Sequence, residues 1–488
     1  MHRHTRYDRL FIGGEWVEPA TAERIDVISP VTEEPVASIP SGSPADMDRA
    51  VAAARAAFDG GWATSPIEER IGVLQRLRNG IEANSEELAQ LITQEMGCPI
   101  TQSRTIQVVA PLGVLDTYLS LARDFRFDEV RRSLNGAAAL VTREPVGVVA
   151  AVIPWNMPLS IAVQKIAPAL LAGCTVVLKP SPEAPLSSYR LVELLTEAGL
   201  PPGVVNMVPA DREASEYLVT HLDVDKVSFT GSSVAGRRIA ALCGQDLRRV
   251  SLELGGKSAA LMLDDADLDQ AVEALRLGSF RNSGQICTLK TRILVSPRRH
   301  QELLDRLVAL VESMPLGDPG HPETHIGPLV SARQRGVVEK YLAIARDEGT
   351  KAVVGGGRPQ DLSRGWYVEP TVLTGVEPGM RIAQEEIFGP VASVLTYADE
   401  DDAVAIANHS TYGLSGAVFT SDVDHGLDIA RRIRTGMVEL NGNPSGPGAP
   451  MGGFKGSGLG RENGPEGLAT YTELKSIGLP QEVADRLA

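Results

Sequence analysis

The chain has 488 residues, of which 43% are apolar and 22% charged, and its formal net charge is −15. This length exceeds one hydrophobic core, so about two or three structural units are expected, and the composition excludes a disordered chain. The excess of 62 acidic over 47 basic side chains argues against nucleic acid or an anionic membrane surface as the main partner.

Cysteine usage favours a reducing compartment, and we expect the protein in the cytoplasm. The four cysteines stand far apart without a CxxC pair, so neither a disulfide framework nor a metal site is expected. The start, residues 1–8, is more polar than a secretory signal. The longest apolar run, 146–153, has strand length and falls short of the roughly 18 residues of a membrane span.

The first elements in chain order are a hairpin and two helices. Residues 11–17 predict a hairpin with Gly13-Gly14 as its two-residue turn. Ser43-Pro44 and Ser65-Pro66 each place an N-cap before a first-turn proline. Apolar residues then recur at helical spacing over 71–81, which predicts one buried helix face.

Strands alternate with helices from residue 146 onward, which predicts a parallel sheet with right-handed crossovers. Ligands of such sheets bind at the carboxyl ends of the strands. The predicted strands are 146–153, 174–178, 204–208 and 226–230, and the helices are 165–171, 187–198 and 213–222. A second α/β unit starts near Leu254, with strands at 259–263, 293–295, 371–373 and 391–395, and helices at 268–277 and 300–312.

Three glycine-containing segments suggest ligand contacts. Gly231 to Gly236 opens a helix after a strand, where free amides suit a phosphate, although the spacing is GxxxxG and a tight helix start remains an alternative. Nine glycines between Gly442 and Gly464 suit a surface loop near a ligand or a neighbouring subunit. Cys287 follows Gly284-Gln285, so its thiol is either an exposed nucleophile or a small buried apolar group.

Six motifs in a fixed order carry a family resemblance. They begin at Pro154, Phe229, Leu252, Gly284, Glu385 and Pro450. Together they resemble the signature motifs of the aldehyde dehydrogenase superfamily, from the first hairpin to Lys475. The resemblance implies an α/β fold in three parts: a Rossmann-like nucleotide-binding domain (1–125 and 146–252), an α/β catalytic domain (253–455) and a small β oligomerisation element (126–145 and 470–488). That element would make a homodimer or a homotetramer.

The resemblance implies an NAD(P)+-dependent oxidation of an aldehyde to an acid. Cys287 would form a thiohemiacetal and then a thioester, with Asn156 stabilising the oxyanion and Glu253 activating the hydrolytic water. Lys165 and Glu462 match positions that relay the proton of the base. Each of these residues also has a simpler interpretation when it is taken alone. Asn156 could be a turn residue, and Glu253 could be a solvated or ion-paired strand residue. Lys165 and Glu462 could be exposed charges.

The cofactor residues also follow from the resemblance, and the preferred cofactor is NAD+. They are Ile153, Trp155, Lys179, Gly231, Ser232, Glu386 and Phe388. The glutamate that NAD+-preferring members place three residues after the lysine is here Pro182, with Glu183 next. NADP+ therefore remains open.

The presence of Glu253 favours the hydrolytic branch over transfer to coenzyme A. The predicted aldehyde tunnel contains no arginine, so a neutral aldehyde is favoured; its residues are Met157, Ser160, Ile161, Gln164, Ile286, Thr288 and 443–447. Two other interpretations stay open. One is a thiol esterase that needs no nicotinamide, and the other is a binding or structural protein with a silent site.

Overall fold

The computed structural model describes residues 5–487, so the outermost part of the polar start and of the tail lies outside the described residues. The strands are β1 Thr5–Arg6, β2 Leu10–Ile12, β3 Glu15–Val17, β4 Arg24–Ile28, β5 Pro35–Pro40, β6 Asp128–Arg132, β7 Ala138–Pro145, β8 Val148–Val152, β9 Thr175–Lys179, β10 Val205–Met207, β11 Lys226–Thr230, β12 Arg249–Glu253, β13 Ser258–Met262, β14 Lys290–Val295, β15 Lys351–Val354, β16 Thr371–Thr374, β17 Val391–Thr396, β18 Gly416–Phe419, β19 Glu439–Leu440, β20 Gly458–Leu459 and β21 Thr472–Leu479.

The α-helices complete the inventory of regular elements. They are α1 Pro44–Asp59, α2 Ile67–Ala83, α3 Ser85–Met96, α4 Ile100–Gln102, α5 Val109–Asp124, α6 Pro158–Ala172, α7 Leu186–Glu197, α8 Arg212–Thr220, α9 Ser233–Gln245, α10 Leu268–Phe280, α11 His300–Glu312, α12 Ala332–Asp347, α13 Arg381–Gln384, α14 Glu400–Asn408, α15 Val423–Arg432, α16 Gly464–Ala469 and α17 Gln481–Leu487.

The first large sheet has eight strands in the order β20-β12-β11-β8-β9-β10-β2-β3. Its five central strands are parallel, as predicted, and β2–β3 is the predicted hairpin. Every residue of β8 and β9 is buried, because helices cover both faces of a parallel sheet and its strands become continuous apolar runs. One apolar core lies against α2, α5, α6 and α7, and another against α1, α8 and α9.

The second large sheet has seven strands in the order β15-β16-β17-β14-β13-β18-β19. It is parallel except for β15, and apolar cores again lie on both faces. A smaller antiparallel sheet, β21-β7-β6, pairs the tail with the hairpin of residues 128–145. The structure adds β18, α12, α14 and α15 to the elements that the sequence predicted.

Two predicted helix starts are wrong. Helix α2 begins at Ile67 with Pro66 as its N-cap, because the Ser65 hydroxyl instead donates to the Trp62 carbonyl at 2.8 Å. Helix α6 begins at Pro158, seven residues before the predicted Lys165. A proline is well placed in a first helical turn, where its missing N–H costs no hydrogen bond.

Among residues 5–487, one continuous helical run, Ile100–Asp124, has the length and apolarity to cross a membrane. Polar residues interrupt it, so no apolar run stood out there in the sequence. The run packs against α2 and α6, and it buries Leu115 and Tyr118 in the core. These contacts are those of a core helix in a globular protein.

Candidate active site

Three distant segments meet at one cavity of about 350 Å³, which we call the central cavity. Asn156 follows β8, Glu253 ends β12, and Cys287 lies in the loop between α10 and β14. All three side chains line the central cavity. The structure therefore brings together the thiol, the amide and the carboxylate that the sequence singled out.

The loop before Cys287 has an unusual backbone. Asn282, Ser283 and Gly284 have positive φ angles of 53°, 55° and 76°, a left-handed conformation that is costly for non-glycine residues. Buried hydrogen bonds offset that cost: Gln102 Oε1 accepts from the Asn282 N–H at 2.8 Å, and the Ser283 hydroxyl donates to the carbonyl of residue 327 at 2.9 Å. At Gly284 a Cβ would lie 2.0 Å from the oxygen of residue 389, so no larger residue fits.

Asn156 is bonded directly to this loop. Its side-chain Nδ2 donates to the Gln285 carbonyl at 2.9 Å. Its backbone carbonyl accepts from Gln107 Nε2 at 3.0 Å and from Asn282 Nδ2 at 3.2 Å. An amide nitrogen has two N–H donors. One holds the loop, which leaves the other for a ligand in the cavity.

The Cys287 thiol is held in its neutral form. Burial raises its pKa to about 12, and the negative charges of Glu386 and Glu253 add to the effect. A thiolate is the reactive form, so this cysteine needs a neighbouring base to remove its proton.

Glu253 is a carboxylate that shares the central cavity with Cys287. It is 3% exposed, and neither of its oxygens has a hydrogen-bond partner among the described residues. Burial, followed by the charge of Glu462, raises its pKa well above the usual value, while Lys165 and Arg461 oppose the shift. A carboxylate with a raised pKa accepts protons readily near neutral pH.

Lys165 and Glu462 form a buried ion pair outside the lining of the central cavity. Lys165 Nζ lies 2.5 Å from Glu462 Oε1 and donates to the Ser228 hydroxyl at 3.1 Å. The Ser228 oxygen also accepts from the Tyr471 hydroxyl at 3.2 Å. The alternative of exposed charges is therefore wrong, since both residues are at most 3% exposed.

Glu386, Phe388 and Trp155 also line the central cavity. Glu386 Oε1 accepts from the backbone N–H of residue 256 at 3.1 Å, and burial raises its pKa to about 7. A Cβ at Gly255 would lie 2.0 Å from Glu386 Oε2, so the glycine permits this approach. The rings of Phe388 and Trp155 meet edge to face with centroids 5.4 Å apart.

A second cavity of about 590 Å³, the distal cavity, is lined by Lys179, Pro182, Glu183 and Ser232. Ser232 also lines the central cavity with Gly231, so the two spaces meet at the start of α9. The Ser232 hydroxyl caps α9 by accepting from the Ala235 N–H at 3.3 Å. Helix N-termini favour phosphate groups, so the joined cavities fit an extended dinucleotide.

The structure shows the contacts of Glu183, the residue next to Pro182 that could replace the missing glutamate. Its oxygens accept from the Ser181 hydroxyl at 2.5 Å and from Arg333 at 3.1 Å. Burial lowers the pKa of Lys179 to about 8, and Glu183 is the first of the charges that oppose this. Ile153, by contrast, is 2% exposed in the core, and it lines neither cavity.

Sequence reasoning missed Arg281, which lines a third space with Met157 and Ile286. Its position, six residues before Cys287 in the same loop, was the available signal. Of the predicted tunnel residues, Ile161 lines the central cavity. Ser160 and Gln164 are buried, and Thr288 is half-buried. None of these last three, nor segment 443–447, contributes to the three cavities described.

A thiol beside an unpartnered carboxylate, next to a groove that ends at a helix N-terminus, defines a nucleotide-dependent oxidoreductase of carbonyl compounds. Residues 16–477 match the model of the Aldehyde dehydrogenase family. The chain belongs to this family and is an NAD(P)+-dependent enzyme that oxidises aldehydes to acids.

Individual relatives agree over nearly the whole chain. A geranial dehydrogenase of Castellaniella defragrans is 46% identical over 96% of this chain and 98% of its own. An aldehyde dehydrogenase of Mycobacterium tuberculosis, solved with NAD+, has a TM-score of 0.96 at 44% identity, covering 98% and 99% of the two chains. A Pseudomonas syringae aldehyde dehydrogenase variant with NAD+ and octanal has a TM-score of 0.95 at 41% identity, covering 98% of each chain.

Proposed function

We propose that Cys287 is the nucleophile, Asn156 the oxyanion donor and Glu253 the general base of aldehyde oxidation. Glu253 takes the proton of the Cys287 thiol, and the sulfur adds to the carbonyl carbon to form a thiohemiacetal. The developing oxyanion accepts from the free N–H of the Asn156 amide and from the backbone N–H of Cys287. That backbone N–H has no hydrogen-bond partner in another residue of the described chain.

A dinucleotide held in the joined cavities would supply the hydride acceptor, and Cys287 would then carry the substrate as a thioester. Glu253 then removes a proton from the water that attacks the thioester carbon, which releases the carboxylic acid and restores the thiol. The buried pair Lys165–Glu462 lies outside the central cavity and sets the charge around Glu253. In this proposal the two residues adjust the pKa of Glu253 and relay its proton.

We infer that the joined cavities hold NAD+ in preference to NADP+. Lys179 would bind the adenosine ribose, and the Glu183 carboxylate would accept from the ribose hydroxyls and repel a 2′-phosphate. Gly231 and Ser232 would hold the pyrophosphate at α9, Glu386 would hold the nicotinamide ribose, and Phe388 and Trp155 would hold the nicotinamide ring. Ile153 lies in the core beneath the joined cavities. Its N–H donates to the Lys179 carbonyl at 3.1 Å and so supports the position of Lys179.

The unpartnered Glu253 carboxylate in the cavity of Cys287 is the observation that carries the proposal. The test measures absorbance of the reduced cofactor with an aldehyde panel and either NAD+ or NADP+. We expect Cys287→Ala to abolish reduction, with Cys243→Ala, in helix α9 outside the cavities, as the matched control. Hydrolysis of an activated ester without nicotinamide measures the esterase alternative in the same samples.

We propose that the sheets divide the chain into a nucleotide-binding domain (1–125 and 146–252), a catalytic domain (253–455) and an oligomerisation element (126–145 and 470–488). In the β21-β7-β6 sheet, β21 is an edge strand with Leu474 59% and Ile477 44% exposed. Open edges and exposed apolar residues favour pairing with another copy. A homodimer or homotetramer follows from this proposal. We place the enzyme in the cytoplasm because its cysteine usage favours a reducing compartment.

A further inference from the structure

A wide turn joins helices α4 and α5. Residues Ser103–Gln107 form this π-turn, in which the Val108 N–H donates to the Ser103 carbonyl, five residues back, at 3.1 Å. Such turns are rare and are frequent at functional sites. The Ser103 hydroxyl lies 2.8 Å from the Thr93 hydroxyl of α3, and both are buried, so the turn is anchored to the core on that side.

The π-turn brings two glutamines to one face of the helical run. Gln102 and Gln107 are five positions apart in the sequence. In an α-helix of 3.6 residues per turn, side chains at that spacing point about 140° away from each other. A turn closed by i→i+5 hydrogen bonds aligns them instead. Both side chains are buried, with exposures of 5% and 2%.

Gln107 holds the segment of Asn156, and Gln102 holds the loop of Cys287. Gln107 Nε2 donates to the Asn156 backbone carbonyl at 3.0 Å. Gln102 Oε1 accepts from the Asn282 N–H at 2.8 Å, and Asn282 Nδ2 donates to the same Asn156 carbonyl at 3.2 Å. These contacts form a ring of hydrogen bonds that the backbone of the π-turn closes.

Stability alone does not account for the amide of Gln107. Its Oε1 is buried and has no hydrogen-bond partner among residues 5–487. Apart from Asn156, its Nε2 faces the sulfurs of Met96 and Cys98, at 4.0 and 3.9 Å, which are weak acceptors. A buried acceptor without a partner destabilises a fold, and an apolar side chain of the same size would avoid that cost. The bond to Asn156 is what the amide provides.

We propose that the π-turn is a clamp for the reaction, in which Gln107 positions the oxyanion donor Asn156 and Gln102 positions the loop of the nucleophile Cys287. This inference rests on the proposed function. Both glutamines are positioning residues, because neither lines the central or the distal cavity. Loss of either one should therefore slow the chemical steps through kcat and leave the Kd of NAD+ unchanged.

The first test is a double-mutant cycle between Gln107 and Asn156, with butanal and NAD+. Gln107→Met keeps the volume and removes the donor. Its kcat should fall about 10- to 100-fold, because misplacing a reacting group by about 1 Å costs about 100-fold. In an Asn156→Ala background the backbone carbonyl remains but the positioned amide is gone, so the same change should lower kcat less than about 2-fold. Calorimetry measures the Kd of NAD+ for each variant.

The second test separates positioning from stability. Thr93→Val removes a buried hydrogen bond that holds the same π-turn on the side of α3, and it is the matched control. It should lower the temperature of thermal unfolding and leave kcat unchanged. Gln102→Met should lower kcat about 10-fold. The double variant Gln102→Met/Gln107→Met should lose less than the product of the two single losses, because both residues act in one network.

Gln107→Asn keeps the amide but withdraws it by one methylene, and it replaces Gln107→Met in the cycle should that variant not fold. A loss of kcat that is as large in the Asn156→Ala background as in the wild type overturns the clamp. An equal loss in Thr93→Val, or an unchanged kcat in the Gln107 variants, also overturns it. All three outcomes leave the proposed function standing, whereas an active Cys287→Ala variant, or a wild type that oxidises no aldehyde of the panel, refutes the proposed function itself.

Discussion

The side-chain amide of Asn156 donates a 2.9 Å hydrogen bond to the carbonyl of Gln285, two residues before Cys287. One side chain thereby fixes the loop of the nucleophile and presents its second N–H to the central cavity. Gln107 and Asn282 donate hydrogen bonds to the backbone carbonyl of Asn156 and fix its position. The proposed oxyanion donor and the proposed nucleophile are thus held together by hydrogen bonds.

Replacing Asn156 by Ala should lower kcat/KM about 100- to 1,000-fold, the usual effect of losing one oxyanion donor. The freed loop should also change the rate at which iodoacetamide alkylates Cys287. Steady-state kinetics and alkylation rates measure the two effects separately. Unchanged kcat/KM with altered alkylation would restrict Asn156 to a structural role.

Replacing Glu253 by Gln should slow both steps that need the base. Reduced cofactor should form in a single slow burst, because the thiol loses its base, and turnover should then stop at the thioester. Steady-state kcat should fall about 100- to 10,000-fold, because a general base contributes that much. Stopped-flow absorbance measures the burst, and intact-mass spectrometry detects the acyl group on Cys287. Normal turnover of this variant would show that another group activates the water.

The pH dependence of kcat should report the pKa of Glu253. The base works deprotonated, so kcat rises with pH through that pKa, which burial and the charge of Glu462 raise. Glu462→Gln removes a negative charge and should move the rise to lower pH. Lys165→Met removes the opposing cation and should move it to higher pH.

Each of these two variants leaves one buried charge without its partner. The double variant Lys165→Met/Glu462→Gln removes both charges and is the matched control for stability, measured by thermal unfolding. Shifts of the two single variants in the same direction would contradict the electrostatic assignment.

Glu183→Gln should reduce the preference for NAD+ over NADP+ about 10-fold, since a neutral amide no longer repels a 2′-phosphate. The ratio of kcat/KM for the two cofactors measures this. Glu197→Gln, at an exposed residue paired with Arg190, is the control. An unaltered ratio would show that Glu183 does not determine the preference for NAD+ over NADP+.

Leu474→Asp combined with Ile477→Asp should shift the protein towards monomers. Each change puts a charge on the exposed tail strand, where pairing with another copy would bury it. Sedimentation velocity over a range of concentrations measures the subunit count. A wild-type monomer, or an unchanged oligomer in the variant, would exclude this strand as the interface.

The parallel β/α alternation and the three polar residues that meet in the central cavity were predictable from the sequence. Strands such as β8 and β9 are short apolar runs between helix signals, and local patterning suffices to find them. The motifs around Asn156, Glu253 and Cys287 stood out by their order along the chain. Helix starts were less predictable, because at Ser65 a competing contact with Trp62 replaced the cap.

What the sequence determined by itself was the family, the chemistry and the residue types that meet there. Only the tertiary structure decided which charges are paired. Lys165 and Glu462, 297 positions apart, became a buried pair, whereas the buried Nε of Arg281 has no hydrogen-bond partner among residues 5–487. Spacing along a chain specifies local elements, but pairing depends on which distant segments the packed sheets bring within hydrogen-bond reach.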